Sequence, residues 1–224
     1  MSNPGQLTLE STDDFDGGFY NPEMPVSVSR YHVPHWHQNG VFAFVTWRLA
    51  DSIPSAVMKS IKAERVLWLR SHPLPWGPED GREYSRLFTH RVENQLDAGI
   101  GNCILRKCEV SAVVAEALRF FDGERYFLDS FVVMPNHVHL LVRLCEQGPL
   151  PKIVHSWKSC SAKVIRRQLQ CDGRVWQRGY WDTLMRSERQ FANCRRYIEA
   201  NPGKVGLRAD EYRFHCRGTS AAGK

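Results

Sequence analysis

Two apolar runs separated by a Met-Pro-Asn break constrain this chain more than any other stretch. They are Ser130-Phe131-Val132-Val133 and His137-Val138-His139-Leu140-Leu141-Val142, with Met134-Pro135-Asn136 between them. Runs of this length, broken by Pro-Asn, predict a β-hairpin with a buried core. Positions i and i+2 of a strand share a face. His137 and His139 therefore stand side by side, while Val138 points the other way. An apolar strand that gives two adjacent positions of one face to imidazoles suits a divalent metal ion. Such pairs also arise by chance as surface or hydrogen-bonded histidines, so the reading needs support from elsewhere.

Around the hairpin the periodicity is orderly. Val41 to Leu49 predicts a strand and Ser55 to Arg70 a helix, with Val57, Ile61, Val66 and Leu69 broadly at helical spacing. A Pro-rich loop leads to a helix over about 81–97, and Glu109 to Phe121 predicts another. Residues 150–170 form a long amphipathic helix, with Leu150, Ile153, Val154, Trp157, Cys160, Ser161, Val164 and Ile165 on one face. Residues 175–185 suit an irregular approach and a short strand. Ser187 and Gln190 have the form of a capping box. The helix they open runs to about Ala200, where Asn201-Pro202-Gly203 stops it.

Taken together, the order is β-α-β-β-α-β plus a helix. It predicts an α+β, ferredoxin-like (split βαβ) antiparallel sheet with helices on one face, a helical insertion and a C-terminal helix. The expected division is a mobile arm over 1–30, one domain over 31–207 with an inserted segment of about 72–107, and a polar tail over 208–224. His32, His35 and His37 form a second cluster that suits an approach loop better than a metal site.

Charge is unevenly spread. Residues 1–144 hold 14 Lys/Arg against 17 Asp/Glu, and residues 145–224 hold 16 against 7. A basic third interleaved with Trp and Tyr suits a polyanion, most simply nucleic acid. Lys158, Lys163, Arg166, Arg167, Arg174 and Arg178 are the expected phosphate contacts, and Trp176, Tyr180 and Trp181 could stack on unpaired bases or belong to the core. The seven cysteines contain no Cys-x-x-Cys, which argues against a zinc ribbon and a disulfide framework. No apolar run nears membrane-spanning length and no secretory leader is evident, so the expectation is a cytoplasmic protein without membrane attachment.

The last helix supplies a partner for the histidines. Tyr197 and Asn201 are four apart and share a helical face. Two imidazoles and an amide oxygen would hold Mg²⁺ or Mn²⁺, with positions left for phosphate oxygens. Tyr197 would be the nucleophile, and the cation would polarise the phosphodiester it attacks. Tyr180 is a rival nucleophile, and Arg195 and Arg196 would add positive field.

Three segments carry a resemblance. Val132 to Val142, Trp176-Gln177-Arg178-Gly179-Tyr180-Trp181-Asp182, and Arg196 to Leu207 resemble the single-tyrosine HUH transposases, nearest the REP-associated tyrosine transposases. The resemblance spans about Tyr31 to Leu207 in the same order. It implies a ferredoxin-like domain that uses Mg²⁺ or Mn²⁺ to cut single-stranded or hairpin DNA, leaving a 5′-phosphotyrosine and a free 3′-hydroxyl. It assigns His137 and His139 to the metal, Tyr197 to attack and the position of Asn201 to the site. Insertion-sequence relatives commonly carry Gln where Asn201 stands. It leaves monomer or homodimer open. A non-catalytic DNA-binding regulator on the same fold, and a replication-initiation or relaxase-type endonuclease, are the alternatives. The intact His pair and Tyr197 argue against the first, and the lack of a third clustered histidine and the position of the tyrosine against the second.

Overall fold

A computed structural model describes residues 18–31, 33–73, 76–145 and 148–218. The hairpin forms as its pattern dictates, with β4 at Tyr126–Val133 and β5 at His137–Leu144. They are the spine of a five-stranded antiparallel sheet with β3 (Phe42–Arg48), β6 (Trp181–Leu184) and β7 (Arg213–Cys216), in the order β6-β3-β5-β4-β7. Within this sheet β3, β4, β5 and β6 give the split-βαβ arrangement.

Alternation along β3 and β5 sorts side chains into two cores. Ala43, Val45 and Trp47 join Val138, Leu140 and Val142 on one face, beneath α4 (Cys108–Arg119) and α5 (Leu150–Leu169). Phe42 and Leu141 face the other way and pack with Phe191 and Ile198 of α6 (Glu188–Lys204). The sheet thus carries α4 and α5 on one face and α6 on the other.

Several expectations change. The helix of 81–97 is longer and composite: α2 (Pro78–Tyr84), a π-turn (Ser85–Thr89) and α3 (His90–Asp97). Helix α1 (Ser55–Ser71) uses most of the expected positions, since Ile61 is buried and Val57 and Leu69 pack beside it, but in a core distinct from the two that flank the sheet. Met58, Ile61 and Trp68 form a separate core with Phe88, Val92 and Leu96. Val66 is exposed, as are Val164 and Cys160 on α5, because each lies one step outside the contact stripe. The tail is not an appendage throughout. Its β7 pairs with β4, and Arg217 pairs with Asp122, so the last described residues complete a sheet edge.

The N-terminal arm also contributes. Phe42 N donates to Gly18 O and Tyr20 N to Met185 O. Beyond it, β1 (Ser27–Tyr31) and β2 (Val33–His37) form a separate hairpin. His32 and the side chain of His35 lie outside the described residues, and so does the reading of that histidine cluster. Residues 1–17 and 219–224 are likewise outside it. Among the described residues, no helix is long and apolar enough to cross a membrane.

Helix α6 starts as expected and ends late. Gln190 N donates to Ser187 Oγ (3.2 Å), and Gln190 Oε1 accepts from Arg186 N (2.9 Å). The helix runs past Asn201 and carries Pro202 inside its last turn. Proline there forfeits the single bond its N–H would have made to the Ile198 carbonyl. Asn201 and Pro202 are both buried, and that packing offsets the loss. Asn201 is therefore held inside a turn of helix rather than at a free end.

Candidate active site

The register of the sheet builds half of the site. Thr46 lies opposite His139, and Arg48 opposite His137. Both imidazoles are 1% exposed. Asn136 Oδ1 meets His137 Nδ1 at 2.7 Å, and Thr46 Oγ1 meets His139 Nδ1 at 2.7 Å. These contacts engage both Nδ1 atoms, and the two Nε2 atoms have no partner. Burial pushes His137 down to about 3 and His139 well below the usual imidazole range, so both rings are neutral, the form that ligates metal.

The other half comes from α6. The rings of His139 and Tyr197 are 5.2 Å apart, edge to face, and Phe44 stacks on His139 at 5.4 Å. The Tyr197 hydroxyl lies beside the Asn201 side chain, and among the described residues neither it nor either polar atom of Asn201 makes a well-formed hydrogen bond. Five orphaned polar atoms on His137, His139, Tyr197 and Asn201 thus share one side of the sheet. An unsatisfied buried polar atom costs ~1–3 kcal/mol, so such a concentration marks a place built for something that satisfies it. Two imidazole nitrogens and an amide oxygen fit a divalent cation that keeps open positions. Among the described residues, no group of three His, Cys, Asp or Glu has metal-holding spacing.

Residues 107–201, from the start of α4 to Asn201, match the family model described as Transposase IS200 like. Over that segment the chain is similar to the IS200-like transposases. The match covers less than half of the chain, and it includes all four side chains of the site. A Haemophilus influenzae protein named "Putative REP-associated tyrosine transposase" is 31% identical over 84 residues, which are 33% of this chain and 48% of that protein. This chain thus spans about half the length of that relative. An uncharacterized protein of the same organism is 27% identical over 139 residues, covering 52% of this chain and 72% of its own. A solved REP-associated tyrosine transposase bound to a REP hairpin aligns over 80% of this chain and 76% of that one, at 16% identity and a TM-score of 0.43.

The matched segment does not stand alone around Tyr197. A cleft of about 490 Å³ opens beside it, lined in part by Phe44, Glu93, Asp97, Gln190 and Lys204. Glu93 and Asp97 come from α3, outside the matched segment. Burial, followed by the charges of Glu93 and Asp97, pushes the Tyr197 phenol above its usual range. Lys204 Nζ sits 4.1 Å from the centre of the Tyr197 ring. The phenol is protonated at rest, and its use as a nucleophile would need added positive charge. Sequence reasoning missed Glu93, Asp97 and Lys204. The only available signals were the four-residue spacing of the two acids and the position of Lys204 about two turns beyond Tyr197.

The expected DNA contacts divide. Lys163, Arg166, Arg167, Arg174 and Arg178 are exposed. Those on α5 lie on the face of the sheet opposite the histidines. Lys158 is not a free cation, because its Nζ donates to Gln177 O (2.7 Å) and Gly179 O (2.5 Å), and burial followed by the Arg48 charge pushes it down to about 8. Trp176 is a core residue rather than a stacking platform: it is 5% exposed, its Nε1 donates to Ser161 Oγ at 3.0 Å, and its ring meets Trp47 edge-on. Tyr180 is half-buried against the same core, on the side of α5, and does not join the histidines. Arg195 is committed to Asp129 at 3.2 Å and to the Arg217 carbonyl. Arg196 bonds Asn193 on the exposed side of α6.

A consequence is testable. Lys158→Met should lower unfolding stability by ~1.5–3 kcal/mol in urea titrations, the range for hydrogen bonds to a charged donor. It should leave the salt dependence of DNA binding unchanged. Arg166→Ala/Arg167→Ala should do the reverse, reducing the slope of log K against log salt by ~0.9 per lost contact to a duplex stem.

Proposed function

We propose that this protein is a metal-dependent single-strand DNA endonuclease and strand transferase, with Tyr197 as nucleophile and His137, His139 and Asn201 as the metal ligands. The observation that carries the reading is the shared site of five orphaned buried atoms on those four side chains. The IS200-like match over the same residues supports it. The substrate class is single-stranded or hairpin DNA, in keeping with the REP hairpin bound by the solved transposase named above.

In this reaction the Tyr197 oxygen bonds to phosphorus and the P–O3′ bond breaks. The phenol loses its proton and the departing 3′ oxygen gains one. One phosphodiester is exchanged for another, so the bond is kept for rejoining. A bound Mg²⁺ or Mn²⁺ would polarise the phosphate and stabilise charge on the transferring group and the leaving oxygen. The chain's own contribution is orientation. Asn136 and Thr46 fix the imidazoles, Phe44 and His139 hold the Tyr197 ring, and Lys204 places a cation over it. The exposed basic residues of α5 would hold a part of the DNA remote from the cut, since they lie across the sheet from Tyr197.

The deciding experiment is incubation of the full chain with single-stranded hairpin DNA and Mn²⁺. A covalent protein–DNA species that survives denaturing electrophoresis is the expected result. Binding without any adduct or nick, over a panel of hairpin substrates, would favour a non-catalytic regulator instead.

A further inference from the structure

The structure assigns to Asn136 the role of a positioning residue that ties the α1–α3 unit to the metal-binding histidines; the assignment rests on the function proposed above. The side chain of Asn136 is 1% exposed and makes three contacts. Its Nδ2 lies 3.1 Å from Leu96 O and 3.3 Å from Ile100 O, while its Oδ1 lies 2.7 Å from His137 Nδ1.

The two carbonyls settle which way the amide faces. They are acceptors only, so the atom between them must be the NH₂ group, and both of its hydrogens are used. The atom facing His137 is then the oxygen, which can only accept. His137 Nδ1 must therefore carry the proton, and Nε2 must carry the lone pair. The tautomer of His137 is thus set by two carbonyl groups at the end of α3. A ligating histidine needs such a partner on its second nitrogen, and loss of one typically costs ~10–100-fold in metal affinity.

The turn that presents these carbonyls is itself fixed to the sheet. Asn102 N donates to Asp51 Oδ2 at 2.8 Å. Gly101 sits at φ +95°, and a Cβ there would lie 2.8 Å from Asp51 O, so only glycine allows this approach. Backbone bonds close the assembly around the hairpin turn: Leu49 N to Asn136 O (2.8 Å) and Leu105 N to Pro135 O (3.2 Å). The segment between β3 and α4 therefore grips the Pro-Asn-His turn from both sides. It belongs to the working site, although the sequence alone gives it no role.

The test compares Asn136→Ala and Asn136→Asp with the unaltered full chain. Long-range ¹H–¹⁵N correlation of the histidine rings reads the tautomer without any metal. Mn²⁺ binding read by electron paramagnetic resonance gives the affinity, and amide hydrogen exchange reads the 96–102 turn. The unaltered chain should show His137 protonated on Nδ1. Asn136→Ala should mix the two tautomers and weaken Mn²⁺ binding by ~10–100-fold. Asn136→Asp keeps the acceptor for His137 but sets a carboxylate against two carbonyls. It should retain the tautomer and speed exchange over 96–102. Should the alanine variant fail to fold, the aspartate variant decides alone. An unchanged tautomer and an Mn²⁺ Kd within twofold in Asn136→Ala, or unchanged exchange in Asn136→Asp, overturns the assignment. An unaltered chain that binds no Mn²⁺ instead overturns the metal-dependent function, and the tautomer and exchange readings still decide the role of Asn136.

Discussion

Tyr197→Phe should eliminate the covalent adduct while leaving DNA binding within a few-fold of the unaltered chain. The substitution deletes one oxygen whose polar neighbour is the Asn201 side chain and which makes no well-formed hydrogen bond among the described residues, so the fold loses no more than one weak polar contact. The ring stays against Phe44 and His139, where its centroid contacts of 6.0 and 5.2 Å do not involve the hydroxyl. Stability should hold or rise, because an unsatisfied buried hydroxyl is removed. Strand cleavage should fall by more than ~10³-fold, the scale on which loss of a covalent nucleophile is felt. Denaturing electrophoresis of a labelled hairpin checks the adduct, and fluorescence anisotropy checks binding. Persistence of the adduct would pass the role to another side chain.

The second large effect is thermal. If His137, His139 and Asn201 hold a divalent cation, Mn²⁺ binds the folded chain and not the unfolded one. At a hundredfold excess over its Kd the ion adds ~2.7 kcal/mol. For a chain of this size that is a rise of roughly 5–10 °C in melting temperature. His137→Ala/His139→Ala should lose the whole increment and all metal-dependent cleavage. Differential scanning fluorimetry with and without Mn²⁺ measures it. An equal rise in the double variant would mean that the ion binds elsewhere.

Much of this site is legible from residues alone, for a physical reason. The hairpin, α5 and α6 each bury one face, and periodicity reports that directly. His137, His139, Tyr197 and Asn201 interrupt those apolar faces, which is why they stand out. What the sequence hides is what tertiary contact decides. Strand β7 is only Arg213–Cys216 and has no alternation to announce it; the open edge of β4 recruits it. Trp176 looks like a stacking residue because nothing local distinguishes a core tryptophan from a platform. Lys158 looks like a phosphate contact until the carbonyls of Gln177 and Gly179 are seen around it. Asn201-Pro202 looks like a helix stop, and burial of both side chains carries the helix through. Glu93 and Asp97 reach Tyr197 across about a hundred residues of chain, a distance at which local pattern carries no signal.

The division of the sheet into two faces has a metrical consequence. A hairpin stem held by Arg166 and Arg167 would lie on one side of the protein, and a phosphate presented to Tyr197 would lie on the other. The strand joining them would have to round an edge of the sheet. A layer of helix or sheet is ~10 Å thick, so the path is on the order of 20 Å or more and is set by the fold rather than by the DNA. A protein that held DNA this way would measure. It would cut at a fixed offset from a structural landmark, and changing the length of single strand between stem and target would move the cut off register.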